Sequence, residues 1–516
     1  MRSMYPWRGG VAVPLLLAAM FAPVSVRAEA DKQDTAETVS EIRPPVAERR
    51  VDTRHSVTAD GRKIAYTASA GTLTLRDGEG HPKASMFYVA YVADRAKGEP
   101  ERPVTFFYNG GPGSSSIWLH MASFAPVRVP VGIDVKPGTT LRLAPNPETL
   151  LGQTDMVFLD AVSTGYSDVF DPKDGKAYWG HDPDSASFTQ AIRRYLEING
   201  RWQSPKYLFG ESYGTTRSAI TSLMLHKAGV ELDGIVLMSS ILNFAQQAPG
   251  LDRMAINQVP TYAASAWYHG KVDRSLSLKD HVEKARRFAE GPYAQALAKG
   301  HDLPDAERDA VAAQMAALTG LPMDYLVQSQ LRVMPSRFRK ELLRSEGKVL
   351  GVLDTRFTGY EGDGAASGAS SDPAGDAISG PIISSFLTYI REDLKYRTDQ
   401  PYHVSSPKNL LGIWDWSHIP PDGEKQNSLA DVALDLAEAM RRNPAMRVLS
   451  LSGYYDLSTP FFATEYDLSH MLLPKGLRSN LTENFYDSGH MIYLDPRSLK
   501  RVHDDVCAFL KDRPEN

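Results

Sequence analysis

Cysteine is almost missing from this 516-residue chain, and Cys507 is the only one. One thiol closes no disulfide within the chain, so stability must come from a buried core. Cys507 itself falls in an apolar helical pattern with Val502, Val506, Phe509 and Leu510. That pattern suits packing better than nucleophilic attack. An excess of charge is missing too. The net charge of −5 offers no attraction to nucleic acid or to an anionic membrane. Past the N-terminal region, no apolar run is long enough to span a bilayer. The histidines form no ligand-spaced cluster such as His-Glu-x-x-His, and neither a metal nor an organic cofactor is implied.

What remains is ordinary globular composition, 42% hydrophobic and 23% charged, with ample material for a large core. Arg2 and Arg8 precede an apolar run from Val11 to Phe21, and Val26-Arg27-Ala28 has small residues at cleavage spacing. Residues 1–28 are therefore expected to be a secretory signal peptide. Without them no membrane span is expected. The protein is placed in a periplasm or outside the cell, and a single cysteine suits bacterial export. Residues 29–53 are charged and weakly periodic, and read as a flexible leader.

From Arg54 to Asp94, Lys63–Thr67 and Thr72–Leu75 alternate beside turn signals at Asp60-Gly61 and Asp77-Gly78, which predicts antiparallel hairpins. Alternation then gives way to unbroken apolar runs: Val104–Tyr108, Met156–Leu159, Tyr207–Phe209, Ile235–Met238 and Val448–Leu451. Such runs are strands buried on both faces. They predict an α/β fold, a largely parallel sheet with helices on both sides. The sheet is expected in two parts, 54–242 and 423–516. Between them, 243–422 reads as a mainly helical cap. Its helices are expected at Ser277–Ala298, Pro304–Leu318, Ser336–Arg344 and Pro381–Leu394, with a mobile loop over Gly359–Gly380.

The chemistry centres on Tyr207-Leu208-Phe209-Gly210-Glu211-Ser212-Tyr213-Gly214, a short strand ending in Gly-x-Ser-x-Gly before helical periodicity. This is the pattern of a nucleophile elbow, which lifts a serine hydroxyl above the sheet edge. A serine needs a base and a carboxylate to orient that base. In sheet hydrolases the chain order is Ser, acid, His. Asp456 follows the strand Val448–Leu451, and His490 follows Asn484–Tyr486, each just past a strand end. Ser212, Asp456 and His490 are the expected triad, with Asp487 and Asp467 as rival acids. Taken alone, Asp456 could be a turn aspartate and His490 a surface-loop histidine; the elbow and the chain order together favour the triad. The Tyr213 N–H supplies one oxyanion donor, and the other should come from the loop Asn109–Ser116 after an early strand. That loop lacks a P-loop lysine, so phosphate binding is disfavoured.

Asn-Gly-Gly-Pro-Gly-Ser-Ser-Ser, Gly-Glu-Ser-Tyr-Gly, Gly-Tyr-Tyr-Asp and Ser-Gly-His-Met, in that order, resemble the serine carboxypeptidase family. Asp160–Ser167 looks like a further family segment. The similarity covers the sheet halves, roughly 85–245 and 400–510. The resemblance implies an α/β-hydrolase fold and a peptide substrate with a free C-terminus. It assigns the triad to Ser212, Asp456 and His490, and the oxyanion N–H groups to Gly111 and Tyr213. It assigns recognition of the substrate carboxylate to Asn109, the Gly110 N–H and Glu211. A carboxyl group can face a carboxylate only if one of them is protonated, so Glu211 should have a raised pKa. Capping of the following helix is the plainer reading of Glu211.

Two departures stand out. Ser114 replaces the family's usual cysteine in the glycine loop, and Ser123 stands where many members carry a second glutamate. His120 and Arg128 are candidates to replace that glutamate. The expected activity is release of C-terminal residues through an acyl-enzyme on Ser212. An esterase or acyltransferase with the same triad is the first alternative, and a non-catalytic binding protein on the same fold is the second.

Overall fold

A computed structural model describes residues 42–512 apart from 97, 137 and 422. The expected signal peptide and the first part of the expected leader lie outside the described residues. Nine strands form the main path of the central sheet. They are β1 (Arg50–Ala59), β2 (Arg62–Arg76), β3 (Pro82–Ala93), β4 (Val104–Tyr108), β5 (Asp155–Leu159), β6 (Lys206–Glu211), β7 (Gly234–Met238), β8 (Arg447–Gly453) and β9 (Leu481–Tyr486). Their spatial order is β1-β2-β3-β5-β4-β6-β7-β8-β9. The first three strands are antiparallel neighbours, β3 pairs antiparallel with β5, and every later pair is parallel.

The two alternating stretches Lys63–Thr67 and Thr72–Leu75 are one continuous strand, β2. Gly71 joins them. A side chain there would lie 2.6 Å from the Arg49 carbonyl oxygen and 2.9 Å from the Tyr88 hydroxyl. The sheet also begins earlier than expected. Arg50 already pairs with Gly71. Ahead of it, Arg43 bonds Asp168 at 2.6 Å and Glu48 bonds Arg194 at 2.9 Å. From residue 42 onward, the stretch expected to be a flexible leader is tied to the body by ion pairs, which composition does not reveal.

Helix α1 (His181–Ile198) precedes β6, and α2 (Tyr213–Lys227) follows it directly. The insertion between β7 and β8 includes α3 (Arg253–Tyr268), α4 (Leu278–Phe288), α5 (Asp305–Thr319) and α6 (Pro373–Thr388). Then come α7 (Ala433–Arg442) and the C-terminal α8 (Pro496–Lys511). Strand residues alternate between two apolar layers. Phe106, Leu208, Ile235 and Val448 pack with α1, α2 and α7. Phe107, Phe209, Val236 and Leu449 pack with α8 on the other face. Both faces being covered explains why these strands read as unbroken apolar runs. Cys507 is buried on α8, and burial pushes its thiol up to about 12, so it stays a protonated packing group. No helix among the described residues is long and apolar enough to cross a membrane.

The insertion has its own apolar cluster, which reaches the core at Tyr454, Tyr455 and Phe461. One expectation there is corrected. Helix α6 starts at Pro373, inside the stretch 359–380 expected to be a loop. Asp372 caps it by accepting from the Gly375 N–H at 3.2 Å, and Pro373 sits in the first turn, where a missing N–H costs nothing. Ala374, Ile378, Ile382 and Phe386, four residues apart, are buried along one face. That burial outweighs the glycines and the interior Pro381 that mask the helix in the sequence.

Candidate active site

The elbow owes its shape to two glycines. Ser212 sits between β6 and α2 with φ +61° and ψ −131°, a strained conformation for a residue with a side chain. A side chain on Gly210 would overlap the Gly214 carbonyl, and one on Gly214 would lie 2.9 Å from the Tyr108 carbonyl oxygen. The Ser212 N–H donates to the Met238 carbonyl at 3.0 Å, which anchors the turn to β7. The serine is half-buried at the floor of a cleft of about 640 Å³.

The glycine loop lies against the start of α2. A side chain on Gly110 would overlap the Tyr213 amide nitrogen and sit 2.6 Å from the Gly214 nitrogen. Gly111 is exposed to the cleft with φ +110°, a conformation that favours glycine. Asn109 is fixed on several sides. Its Oδ1 accepts from the Leu119 N–H at 2.9 Å, and its carbonyl accepts from Arg217 Nη1 at 2.6 Å. Arg217, fully buried on α2, also pairs with Asp184 of α1 at 2.6 Å. Behind the loop, Asp160 accepts from the Ser116 N–H at 2.8 Å and from the Tyr402 hydroxyl at 3.0 Å. Burial pushes its pKa up to about 6.

His490 lines the same cleft as Ser212. Its Nδ1 lies 2.7 Å from Asp456 Oδ2. Asp456 is fully buried, and its two oxygens divide the work. Oδ1 accepts from the Ser458 and Thr459 N–H groups at 2.8 and 3.0 Å, while Oδ2 faces the imidazole and accepts from the Thr459 hydroxyl at 2.6 Å. Asp456 thus closes a turn through Oδ1 and bonds the imidazole through Oδ2. Burial opposes an imidazolium at His490. The charge and hydrogen bond of Asp456, with smaller help from Glu211 and Asp372, outweigh it and leave the pKa raised.

Glu211 is not a helix cap. It lines the cleft, 1% exposed, and its Oε2 accepts from the Tyr493 hydroxyl at 2.9 Å. Burial raises its pKa to about 7, against the opposing pull of His490, Tyr493 and Asn109. Glu211 and His490 are electrostatically coupled, because each favours the charged form of the other.

The suggested substitutes for a second glutamate do not reach the cleft. His120 is buried between Tyr91, bonded at 2.7 Å, and the stacked ring of Phe158, and burial lowers its pKa to about 3. Ser123 is buried and donates to the Leu119 carbonyl. Neither of them, nor Arg128, is among the cleft residues, and no carboxyl group but Glu211 lines the cleft among the described residues. Of the rival acids, Asp487 is exposed, and its backbone carbonyl accepts from Arg356. Asp467 accepts from the Leu242 and Asn243 N–H groups. Sequence reasoning missed Thr459, Tyr493 and Arg217. Only Thr459 left a local signal, three residues after Asp456.

The mixed sheet, the serine at the end of β6 and the cleft above the strand ends define an α/β hydrolase. Within that class, residues 64–308 match the family model for serine carboxypeptidase. That stretch holds the glycine loop and the elbow, while Asp456 and His490 lie beyond it. Over 148 residues the chain is 32% identical to retinoid-inducible serine carboxypeptidase of Rattus norvegicus, across 28% of this chain and 30% of that relative. The chain thus matches less than a third of that protein's length. The crystal structure of a prohormone-processing carboxypeptidase from Saccharomyces cerevisiae has the same fold, with a TM-score of 0.52 and 15% identity. That likeness covers 87% of this chain and 91% of the other. The resemblance to the serine carboxypeptidase family holds in sequence over residues 64–308, and the described residues have the α/β-hydrolase fold.

Proposed function

We propose that this chain is an exported serine carboxypeptidase that removes C-terminal residues from peptides through an acyl-enzyme on Ser212. The observation that carries the reading is the bond of His490 Nδ1 to Asp456 Oδ2 at 2.7 Å, made by a histidine that shares its cleft with an elbow serine. His490 Nε2 takes the Ser212 proton as Oγ attacks the scissile carbonyl carbon. The resulting oxyanion accepts from the Gly111 and Tyr213 N–H groups. The C–N bond then breaks, and His490 gives the proton to the leaving amine. Water, deprotonated in turn by His490, attacks the ester. Breakdown of that intermediate returns the proton to Ser212 and frees the shortened peptide.

Asn109, the Gly110 N–H and a protonated Glu211 would receive the substrate carboxylate. The insertion 243–422 would act as a cap over the cleft, since Ile378, Ser379 and Leu410 come from it. Mass spectrometry of a mixed peptide pool tests the proposal. Single residues should leave free C-termini, and Ser212→Ala should abolish this. Loss of N-terminal or internal fragments instead would refute carboxypeptidase action. N-terminal sequencing of secreted protein tests cleavage after Ala28 and with it a periplasmic or extracellular site.

A second reading, an esterase or acyltransferase, is favoured by one observation. Glu211 is paired with Tyr493 rather than with a second carboxyl group, so the carboxylate-binding set is thinner than the family resemblance implies. Activity on simple esters alone, with none on free-acid peptides, would select it.

A further inference from the structure

We infer that the buried cap segment 352–356 is a brace that positions the proposed base and acid against each other, with Arg356 as its principal positioning residue. The inference rests on the triad reading above. His490 and Asp456 sit on loops after two different strands, and the β8–β9 pairing ends at Gly453 and Tyr486. Beyond that point the sheet no longer sets their separation. Two direct loop-to-loop bonds continue the pairing, from the Tyr454 N–H to the Tyr486 carbonyl and from the Tyr455 N–H to the Ser488 carbonyl, each at 3.0 Å.

The brace holds the same two loops from outside. On the histidine side, the Leu353 carbonyl accepts from the His490 N–H at 2.6 Å. Asp354 Oδ2 accepts from the Gly489 N–H at 3.1 Å. Arg356 donates to the Asp487 carbonyl at 2.7 Å and to Ser488 Oγ at 3.0 Å. On the aspartate side, the Val352 carbonyl accepts from the Leu457 N–H at 3.1 Å, and the Thr355 N–H donates to the Tyr455 carbonyl at 3.0 Å. Those two bonds bracket Asp456. One short piece of the cap thus fixes the backbone at the base and on both sides of the acid.

Arg356 is itself immobilised. It makes a two-pronged bond to Asp354, at 2.7 Å from Nη2 and 3.0 Å from Nε, and its Nη1 reaches Asp495 at 3.1 Å. All three side chains are buried, and a planar guanidinium can serve two carboxylates and two loop acceptors at once. The fit leaves no slack. A side chain on Gly489 would overlap Asp354 Cβ and lie 2.5 Å from the Leu353 carbonyl oxygen. A cap that merely covered the cleft would need none of these bonds.

Arg356→Met, Arg356→Lys and Gly489→Ala test the brace, with folding checked by circular dichroism and thermal melting. The readouts are kcat and KM on a free-acid peptide and the rate at which a serine-directed phosphonate labels Ser212. Arg356→Met and Gly489→Ala should each lower kcat and labelling by ~100-fold with KM within about twofold, the signature of misplaced groups rather than lost binding. Arg356→Lys should recover ~10-fold, because it keeps the charge without the fork. Arg356→Met leaves two carboxylates buried without their partner. If it does not fold, Gly489→Ala carries the test alone, since it removes no charge. Folded variants that label at the wild-type rate, or that lose only KM, overturn the brace. A wild type that never labels overturns the triad reading and the brace with it.

Discussion

The buried Tyr493 donates its hydroxyl hydrogen at 2.9 Å to Oε2 of Glu211, which lines the cleft. The carboxyl group has been taken out of water and left with few donors, and its pKa rises to about 7. It is therefore neutral below about pH 7 and charged above. If it meets the substrate carboxylate, KM for a free-acid peptide should rise as pH climbs through that value, by about tenfold between pH 6 and 8. Glu211→Gln should flatten the profile. The Tyr493 bond favours the ionised form, so Tyr493→Phe should move the rise upward by about one pH unit. A pH-independent KM in the wild type would sink the carboxylate-binding role.

Asp456 is the only one of the three candidate acids with a bond to His490. Asp456→Asn should lower kcat by ~10⁴-fold, because an amide no longer holds the imidazole in the tautomer that can accept the Ser212 proton. Asp487→Asn and Asp467→Asn should keep kcat within about twofold per folded molecule. A large kcat loss in either, with Asp456→Asn active, would reassign the acid.

Gly110→Ala puts a methyl group onto the Tyr213 and Gly214 amide nitrogens. The glycine loop and the start of α2 must then move apart, and the N–H groups offered to the oxyanion move with them. The expected loss is ~10²–10³-fold in kcat. Steady-state kinetics on a folded variant decides it, and wild-type kcat would show that these amides do not converge on the reacting atom.

Arg217 is fully buried and joins Asp184 on α1 to the Asn109 carbonyl under the glycine loop. Arg217→Met leaves the Asp184 carboxylate buried without its partner and should cost about 3–5 kcal/mol in urea unfolding. A variant as stable as the wild type would mean that water replaces the guanidinium.

Much of the site was legible because its chemistry is local. Gly210 and Gly214 flank Ser212 within one turn, and their steric role follows from spacing alone. The loop Asn109–Ser116 and the positions of Asp456 and His490 just past strands were readable for the same reason. Helix α6 was partly illegible, because Gly375, Gly380 and Pro381 argue against a helix that burial of Ala374, Ile378, Ile382 and Phe386 enforces. His120 misled in the opposite direction. Proximity in sequence to the glycine loop suggested the cleft, yet its ring turns into the core against Tyr91 and Phe158.

The amino-acid sequence by itself determined the layered sheet, since a strand covered on both sides must be apolar at every position. It also determined the elbow, since only glycines permit that turn. The tertiary structure alone decided that Asp456 rather than its two rivals faces His490, and that Tyr493 partners Glu211 across 282 residues of chain. It alone decided that a piece of the cap grips both loops of the proposed triad. The reason is physical: periodicity and turn sterics act between neighbours, whereas these pairings exist only once distant segments close on one another, and no local pattern encodes which segments those will be.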